Sequence, residues 1–388
     1  MRRAAAAMAA GTLVFLAGCG GDGGGSGSDD AAVETAPAQV VLAPEDGATD
    51  VSPLVPLEIS VTDGELAEVA LVDDAGAAVP GELAETDTGA EVWTPESPLA
   101  YGTTYTLTAT AANDADEETE ASATFTTVTP AALSTPSIGP LDGQTVGVGM
   151  PIRVWFDDPV ADKAAVERNL VVTSSTATDG VWNWFSDTEV HFRPSQYWPA
   201  NTDVTLDAKL YGVDFGEGVW GEKDRTVSFS IGAKHVSIAD ASTHTMEVYD
   251  GDRLVQTFPM SAGSPKNPSY NGAHVVTEMN RDRIMDSSTY GVPVDSPEGY
   301  RTPVEYAVRI SDSGEFVHAA PWSVAQQGRE NVSHGCINLS TENARWYFEF
   351  TRPGDVVEIR GSSAGALRSD VYDWTIPWDE WQAGSALK

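Results

Sequence analysis

Cysteine is nearly missing from this chain: 388 residues hold two, at positions 19 and 336. A dense disulfide framework is therefore excluded. Basic residues are scarce as well. No Lys or Arg occurs between Arg3 and Arg153, and 22 basic against 58 acidic residues give a formal charge of −36. So acidic a chain repels phosphates, which rules out nucleic acid as a partner. The acidity reads as solubility or adaptation to a salty or high-G+C host, in preference to a device for a cationic partner. The segment from Lys234 to Arg360 is much less acidic. The six histidines include no H-x-x-x-H pair or carboxylate triad spacing, so neither a metal nor a cofactor is expected. The one apolar run, just after Arg3, is too short for a comfortable membrane span.

What the chain does have begins with that run, which Arg2 and Arg3 precede and Leu16-Ala17-Gly18-Cys19 closes. A charged start, an apolar stretch and small residues at the end make an export signal. The last four residues resemble the lipobox of bacterial lipoproteins. That resemblance implies a signal peptide at 1–18, a lipid on Cys19 and anchoring to the outer face of the plasma membrane. Residues 19–39, rich in Gly, Ser and Asp, read as a flexible tether. If Cys19 carries lipid, Cys336 stands alone.

Two matched units follow. Pro44-Glu-Asp-Gly47-Ala-Thr49 reappears as Pro140-Leu-Asp-Gly143-Gln-Thr145, and VWTPESPLAYGTTYTLTATA from Val92 aligns with HFRPSQYWPANTDVTLDAKL from His191. Offsets of 96 and 99 residues are those of one duplicated domain, at 40–130 and 131–232. Alternation such as Tyr105-Thr-Leu-Thr-Ala-Thr, punctuated by Asp-Gly and Pro turns, predicts antiparallel β-sandwiches of Ig-like architecture. The two units are expected to serve as a stalk, so that removing 41–230 leaves the chemistry intact. The aromatics Trp182, Trp184, Phe185, Tyr197 and Trp198 are assigned to core and interdomain packing.

From Lys234 the texture changes to a third, β-rich domain at 233–361. A hairpin turns at Tyr249-Asp-Gly-Asp252. The one helical pattern, Thr341 to Phe350, starts after Ser340 as N-cap and stops before Pro353. A tail at 362–388 carries Trp374, Trp378 and Trp381 at helical spacing, which predicts a face packed on the body of the protein.

A lone exported thiol calls for a chemical reason. Nucleophilic catalysis by cysteine needs a thiolate, an imidazole to take its proton, and backbone N–H groups for the oxyanion. His318 ends a strand, Cys336 follows 18 residues later, and Gly335 removes a side chain just before it. The full pattern, His318 through Ser333-His334-Gly335-Cys336-Ile337-Asn338, resembles the signature of the L,D-transpeptidases, the YkuD family. The resemblance spans roughly residues 234 to 361, including Gly263, Pro268, Tyr270-Asn271-Gly272 and the loop from Tyr290.

It implies a mainly β protein: two Ig-like sandwiches, a YkuD-type catalytic domain with a short helix, and a Trp-bearing tail. It implies an acyltransferase that joins peptidoglycan tetrapeptide stems, donor and acceptor, by 3→3 cross-links, and that carbapenem β-lactams inhibit. Cys336 is the implied nucleophile and His318 the general base, steadied by the Ala319 carbonyl. His334 and Gly335 complete the catalytic set, with oxyanion donors at the N–H groups of Gly335 and Cys336. Ser333, Asn338, Tyr290, Tyr300, Met285 and Trp322 are implied to bind substrate. Papain-like enzymes and amidases place cysteine before histidine, and sortases add an arginine after the cysteine, so order and spacing exclude both. An L,D-carboxypeptidase or endopeptidase with the same nucleophile, and a non-catalytic envelope-binding lipoprotein, stay open as alternatives.

Overall fold

The structure, a computed structural model, describes residues 36–86, 91–297, 299–369 and 371–387. The expected signal peptide, Cys19 and most of the tether lie outside the described residues.

The first unit contains β1 (Gln39–Ala43), β2 (Ala48–Val51), β3 (Leu57–Thr62), β4 (Glu65–Asp73), β5 (Gly81–Glu85), β6 (Glu91–Pro95), β7 (Thr104–Ala112) and β8 (Glu118–Thr127). They form two four-stranded sheets, ordered β1-β3-β6-β5 and β2-β8-β7-β4. The period-two pattern in β7 puts Tyr105, Leu107, Ala109 and Ala111 inside. Across from them lie Leu57, Ile59 and Trp93.

The second unit holds β9 (Ala132–Ser134), β10 (Ser137–Gly139), β11 (Thr145–Val146), β12 (Ile152–Trp155), α1 (Lys163–Arg168), β13 (Leu170–Ser174), β14 (Gly180–Trp184), β15 (Glu189–Pro194), β16 (Asp203–Ala208), β17 (Asp214–Gly216), β18 (Val219–Gly221) and β19 (Arg225–Ile231). Its two large sheets run β10-β12-β15-β14 and β11-β19-β16-β13, which repeats the first unit strand for strand. The repeated Asp-Gly turn also does the same job twice. Asp46 accepts from the Thr124 N–H at 2.9 Å, and Asp142 from the Ser228 N–H at 2.9 Å. Sequence periodicity missed α1 and the small sheet β17-β18-β9, which have no counterpart among the described residues of the first unit.

The third domain comprises β20 (His235–Asp240), β21 (Thr245–Asp250), β22 (Arg253–Pro259), β23 (Gly272–Val275), β24 (Glu278–Asp286), β25 (Arg301–Arg309), β26 (Phe316–Ala319), β27 (Ile337–Leu339), α2 (Thr341–Phe350) and β28 (Val356–Arg360). One sheet is ordered β22-β21-β20-β28-β23 and the other β24-β25-β26-β27. Between them Met246, Val248, Phe258, Val308, Val317, Ile337 and Leu339 form a core onto which Tyr347 of α2 packs. The Ser340 hydroxyl caps α2 by accepting from the Asn343 N–H at 3.2 Å.

The expectation of a detachable two-sandwich stalk needs correction for its second half. Val236 and Val356 of the third domain belong to the second sandwich's core. The Gly147 and Gly149 N–H groups donate to Pro353 and Gly354 at 2.8 Å each, and the Tyr197 hydroxyl donates to Glu358 at 2.9 Å. The tail completes the join. Trp374 donates to the Gly149 carbonyl at 2.7 Å, Trp381 is fully buried and donates to Val181, and Asp373 meets His191 at 2.9 Å. The three tail tryptophans surround the Arg193 guanidinium, with centroids 4.4 to 5.1 Å from it. Only Trp378 and Trp381 lie on the helix α3 (Trp378–Ala383); Trp374 sits on a separate 3-10 turn.

Candidate active site

The site is assembled by the pairing of β26 with β27. These strands run parallel, with Val317 opposite Ile337 and His318 opposite Asn338. Alternation puts His318, Asn338 and the preceding Cys336 on one face. Strand spacing and rise separate the His318 and Cys336 backbones by about 8 Å, within reach of two side chains. Both side chains line a cavity of about 270 Å³, together with Met285, Tyr300, Trp322 and Ser333.

Each group is held from more than one side. The His318 Nδ1–H donates to the Ala319 carbonyl at 2.8 Å, which fixes the tautomer and leaves Nε2 as the basic nitrogen. Because that contact uses only backbone, the alanine suffices. Trp322, although 58% exposed, covers the ring of His318 at 6.1 Å between centroids. Asn338 donates to the Ser323 hydroxyl at 3.2 Å, and its backbone exchanges hydrogen bonds with Ser261.

The cysteine turn is tied from within. The Ser333 hydroxyl donates to the Cys336 carbonyl at 2.6 Å and accepts from the Gly335 N–H at 3.1 Å. Gly335 adopts φ of +121°, a conformation open to glycine and strained for any other residue. The expectation that Gly335 supplies an oxyanion donor is corrected here, since its N–H is already spent on Ser333. The N–H groups of Phe316 and Cys336 both reach the sulfur, and of the two only that of Cys336 belongs to the cysteine turn.

Electrostatics favour a neutral resting pair. Burial pushes the Cys336 thiol up to about 12, the Glu315 charge adds to the rise, and the N–H groups of Phe316 and Cys336 oppose it. Burial also lowers the His318 pKa, against the pull of the Ala319 carbonyl. The thiol therefore rests protonated, its S–H 3.7 Å from the Gly314 carbonyl, and gives up its proton only as it reacts.

The remaining expected residues gather at the same place. Met285 is buried beside Val304, Phe316 and Cys336, with Tyr300 packed against that cluster. His334 is exposed and tilts over the Tyr300 ring at 5.2 Å. Tyr290 ends a 3-10 turn after β24, and its side chain lies outside the described set.

Several residues escaped the sequence reading. Thr302, Ser323 and Gln326 also line the cavity. Behind Cys336, the buried Glu315 binds His274 at 3.1 Å and the Tyr270 N–H at 2.8 Å. Ser269 holds the Gly335 carbonyl at 2.6 Å. Nothing local in sequence marks them, because each meets its partner across 41 to 66 residues. No group of metal-ligating side chains occurs among the described residues, and no described helix is long and apolar enough to cross a membrane.

Comparison with known proteins converges on one class. The L,D-transpeptidase catalytic domain family matches residues 234–359, and the bacterial Ig domain family matches 48–214. L,D-transpeptidase 2 of Mycobacterium tuberculosis is 41% identical over 343 residues, covering 88% of this chain and 83% of that protein. L,D-transpeptidase 5 of the same species is 40% identical over 358 residues, covering 90% and 77%. A solved structure of the LD transpeptidase LdtMt1 in complex with imipenem is 38% identical, covers 60% of this chain and all of that one, and superposes with a TM-score of 0.52. The chain belongs to the L,D-transpeptidase family, with a YkuD catalytic domain behind bacterial Ig-type sandwiches.

Proposed function

We propose that this protein forms 3→3 cross-links between diaminopimelate-containing stem peptides of peptidoglycan, through a thioacyl intermediate on Cys336. The observation that carries the reading is the shared cavity, in which His318, with Nδ1 anchored on Ala319, faces the same space as the only thiol among the described residues. Cys336 attacks the carbonyl at the L-centre of a tetrapeptide donor while His318 Nε2 takes the thiol proton. The carbon–nitrogen bond to the terminal D-alanine breaks, and that proton leaves on the D-alanine amine. The side-chain amine of a second stem's diaminopimelate then attacks the thioester. Its proton returns through His318 to the departing sulfur, which restores the thiol.

Met285, Tyr300 and Trp322 wall the donor site, Tyr290 is assigned to substrate binding with them, and Ser333 and Asn338 hold the cysteine turn and the cavity floor. His334 stands at the mouth, where an acceptor enters. The relative captured with imipenem supports inhibition by carbapenems, whose strained ring offers the same kind of carbonyl. Residues 1–18 act as an export signal, Cys19 carries the lipid that anchors the chain to the outer face of the plasma membrane, and 19–39 serve as its tether. The sandwiches at 40–130 and 131–232 carry the catalytic domain at 233–361, and the tail at 362–388 closes on the second of them.

Mass spectrometry after mixing with imipenem tests the nucleophile. A one-to-one adduct on Cys336, lost in Cys336→Ala and slowed in His318→Ala, is expected. A folded protein without adduct would favour a binding role instead.

A further inference from the structure

With the Gly335 N–H committed to Ser333, the oxyanion chemistry depends on how the next peptide is held. Ser269 holds it from behind. This residue is fully buried, its hydroxyl donates to the Gly335 carbonyl at 2.6 Å and accepts from the Gly263 N–H at 2.9 Å. A hydroxyl with its proton and a lone pair both engaged has one orientation. The Gly263 N–H reaches it only because residue 263 has no side chain: a Cβ there would lie 2.3 Å from the Asn267 carbonyl oxygen and 2.5 Å from the Ser269 nitrogen.

The consequence follows from peptide geometry. In a trans peptide the carbonyl and the N–H point in opposite directions, so a Gly335 carbonyl drawn inward turns the Cys336 N–H toward the sulfur. The N–H of Cys336 does lie against its own Sγ, where it favours the thiolate. Glycine on one side makes this peptide easy to rotate, and the Ser269 hydroxyl is what opposes a flip at the carbonyl.

We infer that Ser269 is a positioning residue for acyl transfer, locking the Gly335–Cys336 peptide so that the Cys336 N–H meets the oxygen of the attacked carbonyl. Ser269 touches no substrate. The inference rests on Cys336 being the nucleophile. As the carbon–sulfur bond forms, the carbonyl π pair moves onto oxygen, and a pre-aimed N–H stabilises that charge without reorganising.

Two reactions of the same sulfur separate this role from a merely structural one. Acylation by imipenem passes through an oxyanion; alkylation by iodoacetamide, in which sulfur displaces iodide from carbon, does not. Ser269→Ala is expected to slow acylation about 10- to 100-fold, somewhat less than outright removal of an oxyanion donor, while alkylation stays within about twofold of the parent rate. Ser269→Thr, which keeps the hydroxyl, should recover most of the loss. Unchanged acylation in Ser269→Ala, or equal slowing of both reactions, would overturn the inference. Should Ser269→Ala not fold, a crystal structure of the unaltered protein acylated by imipenem decides: the thioester oxygen should lie on the Cys336 N–H with the Ser269–Gly335 bond intact. An oxygen held elsewhere, or a flipped peptide, would overturn it. No adduct on unaltered Cys336 would instead defeat the parent reading, and this inference with it.

Discussion

Burial moves Cys336 and His318 in opposite directions on the pH scale and yet produces one result, a thiol and an imidazole that are both uncharged at rest. The reacting pair is therefore the neutral one. His318 stays a free base as pH falls through its ordinary value of about 6.5, because its own pKa is lower. The acid limb of imipenem acylation should thus lie below about pH 6.5; a limb at or above that value would contradict the assignment. On the alkaline side, alkylation of Cys336 should keep climbing past pH 9, since the raised thiol is still largely protonated there. A plateau near neutrality would show a pre-formed thiolate. At this scale the candidate site was legible, because Ser333, His334 and Cys336 stand within four residues and Cys336 is one of two cysteines in the chain. Ser269, Glu315 and His274 were not. Ordinary residue types acting across a fold leave no local pattern, and the diversion of the Gly335 N–H to Ser333 is a matter of backbone direction that residue identity does not encode.

Elements carry these residues into place, and the ones with strong local signals could be read in advance. The helix α2 runs from Thr341 to Phe350 with Ser340 as its cap, as the capping residue and the following Pro353 indicated. Strands with clean alternation, such as β7, also declared themselves. In contrast β26 and β27 are short and buried on both faces, so no period-two pattern reveals that they pair in parallel. The short α1 lies below the length at which periodicity is informative. The separateness of α2's cap from the cavity gives a test. Ser340→Ala should cost about 1 kcal/mol of stability, measured by urea denaturation, and leave the acylation rate unchanged. A large loss of acylation at unchanged stability would mean that the helix helps aim β27 more directly than its packing indicates.

The whole molecule is less modular than its duplicated sequence suggests. Similar domains need not play similar mechanical parts: the first sandwich keeps its own core, whereas the second shares one with the catalytic domain and is strapped to it by the tail. Contacts across the two sandwiches centre on Tyr101, which donates to the Gly221 carbonyl and meets the Tyr211 and Trp220 rings at 5.0 and 6.1 Å between centroids, and on Tyr211, which donates to Leu99. Removing residues 36–130 should leave carbapenem acylation within about twofold, while extending the deletion to 230 strips the cover from Val236 and Val356, each worth roughly 1.5–3 kcal/mol when buried, and should give aggregated or unfolded protein. Normal acylation by the longer deletion would refute the shared core. The repeat and its Asp-Gly turns were legible because duplication preserves turn chemistry; the fusion was not, because interdomain contacts are made by residues whose local patterns look like any sandwich strand.

The most direct measurement is of bond formation itself. Purified protein incubated with disaccharide-tetrapeptide muropeptides should release D-alanine and yield dimers joined between two diaminopimelate residues, identified by tandem mass spectrometry, with Cys336→Ala inert. Dimers formed equally well by Cys336→Ala would contradict the account, as would stems trimmed to tripeptides with no dimer at any acceptor concentration.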